Sequence, residues 1–303
     1  MAANAAVDAS VGRPSLLKLI RESKVAQGLA LIGPANAYLL VFMVLPLIVV
    51  GVLSFLSRGT YGQVEFRFNL SNYARLLDPL YGRILVFSLI VGVATTIASL
   101  VIGYPLAYFI ARSPARQRSL LLFLVLLPFW TNFIIRIYAW IMILRAGGFL
   151  DTVVQWLHLS QNPLQLLYTP TAVMIGMIYE FLPFMVLPLY TSLEKIPDSI
   201  LEAAADLGAP PVRAFLRVTL PLSVPGMIAG TILVFIPAMG MFVIPDLMGG
   251  AKTILIGNVI RNQFLTARDW PFGAASSMIL MLLTMVFTFY YARRAGFSEE
   301  LLV

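Results

Sequence analysis

The sequence has no cysteine. Disulfides, thiolate metal sites and cysteine nucleophiles are excluded with it. Its single histidine, His158, cannot build a histidine metal cluster by itself. Charge is also scarce: 12% of 303 residues, where a soluble domain carries about 25%. An ordinary soluble enzyme is thereby excluded. Hydrophobic residues make up 60% and mean hydropathy is +0.89, which excludes a disordered chain. A phosphate-binding loop of the form Gly-x-x-x-x-Gly-Lys-Ser/Thr is missing too. The segment Gly249-Gly250-Ala251-Lys252-Thr253 lacks the Gly-Lys adjacency and reads as a loop turn. No zinc-protease helix motif and no serine nucleophile elbow occurs. The chain is therefore expected not to be an enzyme and not to hydrolyse ATP itself.

What the chain has in quantity is long apolar runs. Six are evident, at about 29–56, 84–111, 120–144, 171–192, 224–247 and 272–292. A bilayer span needs about 20 apolar residues, so each is long enough. In hydrocarbon the backbone must hydrogen-bond internally, which makes these runs helices. The fold class expected is an all-α membrane protein with six transmembrane helices. Proline recurs in the runs (Pro46, Pro105, Pro128, Pro183, Pro188, Pro237 and Pro245), and each removes a backbone donor and favours a kink.

The net charge of +7 belongs to topology rather than to nucleic-acid binding, because the basic residues lie at the ends of apolar runs. Residues 1–28 are polar and basic, lack the apolar core and cleavage site of a signal peptide, and are expected to stay on the cytoplasmic side. Six spans put both termini on one side. Twelve Lys and Arg fall on that side and eight on the other, which favours cytoplasmic termini, including the tail 293–303. Trp130, Trp140, Trp156 and Trp270 fall near span ends or in outer loops, as an interfacial belt requires.

The most informative polar stretch is 193–223, LEKIPDSILEAAADLGAPPVRAFLRVTLPLS, between the fourth and fifth runs. Ser199 and Glu202 have the spacing of a capping box. Gly208 fits a left-handed helix end. Pro210 and Pro211 fit the first turn of a second short helix, and Leu220-Pro221 its end. The expectation is a small helix-turn-helix on the cytoplasmic face. A helix this short is marginal alone in water and calls for a partner surface.

Glu202-Ala203-Ala204, three residues, Gly208, nine residues, Val218, one residue, then Leu220-Pro221 resembles the loop that couples ABC importer permeases to their ATPase. Valine stands where that pattern usually has isoleucine. Other segments are similar to spermidine/putrescine permeases: Phe129-Trp130-Thr131-Asn132 with Ile135-Arg136-Ile137-Tyr138-Ala139-Trp140, Leu182 to Tyr190, Pro237 to Gly240, Asp246 to Lys252, Ile256 to Ile260, and Arg268 to Ala275. Permeases for ferric ion, sulfate, phosphonates and opines share much of this scaffold. The resemblance implies a type I ABC importer permease in the inner membrane. Its implied partners are a second homologous permease subunit, two cytoplasmic ATPase subunits that bind the ATP, and an external solute-binding protein; lipid surrounds it. No cofactor, metal or nucleic acid is implied. The coupling contacts implied are Glu202, Ala203, Ala204, Gly208, Leu220 and Pro221. The outer loops 58–83 and 248–271 would meet the binding protein. A secondary transporter is the competing class, but corresponding inverted halves are not evident.

A polyamine path needs carboxylates and aromatic faces to replace lost water. Glu180 is the acidic residue deep in a run, and Asp246 lies at the outer end of another. Trp140, Tyr179, Phe181, Phe184 and Phe242 are the aromatic candidates. Glu180 and Arg136 sit about 14 Å and 12 Å inside the outer ends of their runs at helical rise, so a structural ion pair between them competes with a substrate role for Glu180.

Overall fold

The computed structural model describes residues 24–159, 162–250 and 252–294. Residues 1–23 of the expected N-terminal segment, Ala251, and residues 295–303 of the expected tail lie outside the described residues. The chain forms two compact units, divided between Val52 and Leu53. The first unit is carried by α1, Lys24–Ser54, with Pro34 and Pro46 inside it. Nearly every side chain from Ile32 to Val49 is exposed, and this helix has no apolar stripe set against a polar one. Such a helix is unstable in water and stable in lipid, where its backbone is internally bonded and its side chains match the acyl chains.

The second unit opens with a two-residue antiparallel pair, β1 (Ser57–Arg58) with β2 (Val64–Glu65), and α2 (Ser71–Leu76). Helix α3, Pro79–Arg112, starts where Asp78 Oδ1 accepts the Leu80 N–H at 2.8 Å and proline occupies the first turn. Its 34 residues reach about 51 Å, more than the roughly 30 Å of hydrocarbon, so its ends project beyond the lipid core. The run expected as one span at 120–144 is divided. Helix α4 (Ala115–Leu126) tightens into a 3-10 turn at Leu127–Trp130, and α5 (Phe133–Leu144) begins afresh. Pro128 supplies no N–H to the turn, and Asn132 restarts the helix by accepting the Ile134 N–H at 2.8 Å.

Helix α6 (Phe149–Trp156) precedes α7, Pro170–Glu194, which Thr169 caps. Helix α8 is Asp198–Asp206, and α9 is Pro211–Ala214. A π-helical turn at Phe215–Thr219 leads into α10, Leu220–Leu222. Helix α11 runs Val224–Gly240, α12 Val243–Met248, α13 Ile256–Leu265 and α14 Trp270–Arg294. The run at 224–247 is thus interrupted at Met241–Phe242, where Met241 leaves helical backbone with ψ 131°. Among the described residues, five helical segments are long and apolar enough to cross a membrane. The pair Pro211–Leu222 and Val224–Gly240, bent by 61°, makes a sixth if counted as one span.

Helices α3, α7 and α11 pack together as the core, around Ala107, Met177, Met185, Leu189 and Val234. Close approach is set by glycine: a Cβ on Gly226 would lie 2.6 Å from the Pro188 carbonyl oxygen. Hydroxyls inside these helices bond back to their own backbone, as Ser88 does to the Ile84 carbonyl at 2.7 Å and Thr96 to Gly92 at 2.8 Å. That is how a polar side chain is satisfied where water is missing. On the β1–β2 side, buried Asp269 accepts Arg75 at 2.8 Å and the Phe272 N–H at 3.2 Å, while the Arg75 guanidinium lies 4.0 Å over the Phe272 ring. Arg58 joins them by donating to the Ala267 carbonyl at 2.7 Å. The two loops expected to face a binding protein are thereby tied to each other.

Candidate functional site

Three groups of residues carry the candidate chemistry. The first is the segment 193–223. The capping box is not formed: α8 starts at Asp198 after Pro197, so Ser199 falls inside the first turn and its side chain caps nothing. Proline fixes the backbone of the capping position two residues earlier than the Ser199 hydroxyl requires. Gly208 does take the left-handed conformation, with φ +77°, and its N–H bonds back to the Ala205 carbonyl at 2.8 Å. Pro211 opens α9 as expected. Leu220-Pro221 does not end it, because the π turn lets helical backbone continue past Pro221 to a bend at Ser223. A wider turn tolerates a residue without an N–H, since its hydrogen-bond register is already shifted.

Glu202, Ala203 and Gly208 are exposed, and Ala204 is half-buried. Leu207 and Val212 beside them are 88% and 70% exposed. The segment is anchored from behind rather than on this face. Arg112, at the end of α3, pairs with Asp198 at 2.6 Å. Phe215 lies edge-on to Tyr104 and Tyr108, at 5.7 and 5.9 Å between ring centres. The Tyr104 hydroxyl meets the Ser223 hydroxyl at 2.9 Å, at the bend. Leu220 is half-buried and Pro221 is exposed.

The second group brings Glu180 and Arg136 into contact, as their matched depth allowed. The Arg136 Nη2 donates to Glu180 Oε1 at 3.0 Å, and both side chains are about nine-tenths buried. The guanidinium also lies 4.9 Å from the Phe129 ring and 5.9 Å from Phe133, so aromatic faces replace part of its lost water. Phe184 packs edge-on to Phe129 at 5.3 Å and Phe181 is buried. Trp140 and Tyr179 form their own edge-on pair at 5.4 Å, between the same two helices, α5 and α7.

The third group is built around Asp246 on α12. Asn258, on α13, donates from Nδ2 to Asp246 Oδ1 at 2.5 Å and to the Phe242 carbonyl at 2.9 Å, and its Oδ1 accepts the Leu255 N–H at 3.0 Å. Arg261 Nη1 pairs with Asp246 Oδ2, and its guanidinium stands 5.8 Å from the Phe242 ring. Asp246 is therefore not a free carboxylate in this conformation. Asn258 and Arg261 are not among the path residues expected from the sequence. The signal was present: they are three apart, so they share one helix face and can reach one acceptor. Helix α12 packs against α5 and α7, the two helices that carry the Arg136 pair.

Residues 99–296 match the model of the binding-protein-dependent transport system inner membrane component family. The chain belongs to that family. Members closely similar to it include the spermidine/putrescine transport system permease protein PotB of Escherichia coli (strain K12), 49% identical over 84% of this chain and 93% of that protein. PotB of Haemophilus influenzae is 45% identical over 85% and 90%. The E. coli inner membrane ABC transporter permease protein YdcU is 31% identical over 82% and 84%. Among solved structures, a bacterial alginate ABC transporter in complex with an alginate pentasaccharide-bound periplasmic protein matches with TM-score 0.74 at 16% identity, over 92% of this chain and 96% of that one. A likeness of that identity speaks for the fold: this permease has the helical architecture of an ABC importer subunit, with several membrane-spanning helices.

Proposed function

We propose that this chain is one of two permease subunits of an ATP-driven importer of polyamines such as spermidine and putrescine. The observation that carries the reading is the near-full-length identity of 49% to a permease named for those two substrates. The composition agrees, since a chain with so few charges has little to offer outside the membrane. A second homologous permease completes the pathway, two ATPase subunits supply the energy, and an external binding protein delivers the solute. Both termini and the segment 193–223 lie on the cytoplasmic side. Asp246 is the carboxylate that recognises a substrate ammonium, with Phe242 beside it; Trp140, Tyr179 and Phe184 offer aromatic faces deeper in the path. Glu180 serves chiefly to neutralise Arg136.

Coupling is assigned to Glu202, Ala203, Ala204 and Gly208, on the exposed side of α8 and its end, with Leu220 and Pro221 closing the segment. An apolar rim of Leu207 and Val212 at such exposure is suited to burial in a cleft of a protein partner. The test is uptake of labelled spermidine and putrescine by cells that lack their own polyamine uptake and express this chain with its partners. ATP-dependent, saturable uptake and co-purification of the ATPase are expected. Uptake driven by an ion gradient with this chain alone would overturn the reading, and uptake confined to sulfate, phosphonate or ferric ion would replace the substrate. Gly208→Val tests coupling within it. A Cβ there meets nothing within 4 Å, so the substitution acts through backbone strain alone. Left-handed backbone costs a β-branched residue about 1–2 kcal/mol, enough to reshape the exposed turn without unfolding the protein. The variant should assemble and hydrolyse ATP but lose most uptake; normal uptake would sink the assignment of this turn.

A further inference from the structure

A cavity of about 440 Å³ lies beside the Asp246 group, bounded by α11, α13 and α14. Phe242, Ile236, Ser277 and Thr284 contribute to its wall, and among the described residues Arg261 is its one charged lining residue. Asp246 does not line it. A space next to the proposed cation-recognising carboxylate therefore presents a cation to an arriving solute. The carboxylate itself is occupied on both oxygens, by Asn258 on one and Arg261 on the other. These two partners differ. Asn258 is 2% exposed and held by three hydrogen bonds, so it is fixed. Arg261 carries a side chain 38% exposed, at the edge of the cavity, and its recorded partners are Asp246 and the Phe242 ring.

We propose that Arg261 is a specificity-determining residue: it is a tethered competitor for the substrate ammonium, and a polyamine enters by displacing it from Asp246. This rests on the reading of the chain as a polyamine permease. The physical case is one of exchange. An ion pair exposed to this degree is worth about 1 kcal/mol or less, so a second cation can replace the guanidinium at small cost. The Arg261 charge, once released, still faces the cavity and repels whatever has replaced it. A small monovalent cation gains one contact and meets that repulsion. A polyamine has further ammonium groups with which to reach the Phe242 ring and the aromatic faces of Trp140, Tyr179 and Phe184 proposed deeper in the path. Arg261 thus sets a threshold that a polycation passes and a monoamine does not.

The experiment is equilibrium binding of labelled spermidine to the purified complex of both permeases and the ATPase, without the binding protein, with butylamine as competitor. Wild type is compared with Arg261→Gln, Asp246→Asn and the double variant, and assembly is followed by size-exclusion profile. Arg261→Gln should bind spermidine about fivefold more tightly, the amount a pair of this strength withholds, and should lose much of its preference over butylamine. Asp246→Asn should weaken binding about tenfold, as loss of a charge-assisted contact does, and the double variant should stay weak. A purely structural pair gives the opposite pattern: each single variant assembles poorly, and the double variant recovers both assembly and wild-type binding. That pattern, or spermidine binding weakened by Arg261→Gln in an intact complex, overturns the proposal. If the wild-type complex binds no spermidine and takes none up when the binding protein is added, it is the polyamine reading that fails first.

Discussion

The pairs Arg136–Glu180 and Asp246–Arg261 place the same two functional groups in different settings. The first is nearly closed off, with side chains 9% and 11% exposed; the second is 38% and 32% exposed. In the first, Arg136 Nε and Nη1 are buried and have no hydrogen-bond partner among the described residues, so aromatic faces and one carboxylate carry the whole charge. In the second, an asparagine supports the acid and solvent can share the load. A buried pair is costly to make and far costlier to break, whereas a half-exposed pair can exchange partners. The same chemistry is therefore closed off between α5 and α7 and open between α12 and α13, which suits the first to a strut and the second to the exchange proposed above.

The sharpest way to break this comparison is to remove one member of the buried pair. Glu180→Gln leaves Arg136 charged and unpaired, and Arg136→Gln leaves Glu180 so. Each should cost about 3–5 kcal/mol and abolish assembly, as scored by membrane-extracted complex and its melting temperature. The double variant Arg136→Gln with Glu180→Gln should recover much of the loss. If Glu180→Gln assembles normally and only transport changes, Glu180 belongs to the substrate path after all.

A smaller effect is expected from Asp269→Asn, at the loop junction where Arg75 and the Phe272 N–H converge on one buried carboxylate. Asparagine keeps an acceptor for the N–H but loses the charge, at about 1.5–3 kcal/mol for a charge-assisted contact. Proteolysis between residues 57 and 76 should quicken in intact vesicles, with assembly preserved. Unchanged cleavage would mean the two loops are held by their other contacts. The smallest effect belongs to Arg112–Asp198, where the acid is 78% exposed. Asp198→Asn should change stability by less than about 1 kcal/mol, because solvent already screens the pair. A loss of several degrees in melting temperature would show that the pair anchors α8 more firmly than its exposure implies.

Much of the fold is legible in the chain because lipid enforces it. A run such as 171–192 has no alternative to a helix in hydrocarbon, and the structure has one at Pro170–Glu194. Breaks inside runs are less legible. Pro183 and Pro188 lie within one helix, whereas Pro128 falls in a tight turn between two. The residue type is the same in each case. What differs is the follow-up at Asn132, which restarts a helix, and the packing around the helix that contains Pro183 and Pro188. The segment 193–223 shows the same division. Gly208 was readable, since only a left-handed turn makes sense of glycine there, but the capping box at Ser199 was outcompeted by Pro197.

The sequence by itself determined the membrane class, the apolar runs, the loop pattern at Glu202 to Pro221 and the kinship that runs through it. These are local or one-dimensional properties, fixed by composition and spacing. Tertiary structure alone decided which charges meet. Arg136 finds Glu180 44 residues away, Arg75 finds Asp269 194 residues away, and Asp246 is claimed by Arg261 rather than left open. Depth matching made the first of these pairings one of two open alternatives but did not choose it. The reason is physical: the strength of a charge pair depends on distance, exposure and the other donors at the same oxygen, and only the folded chain sets all three.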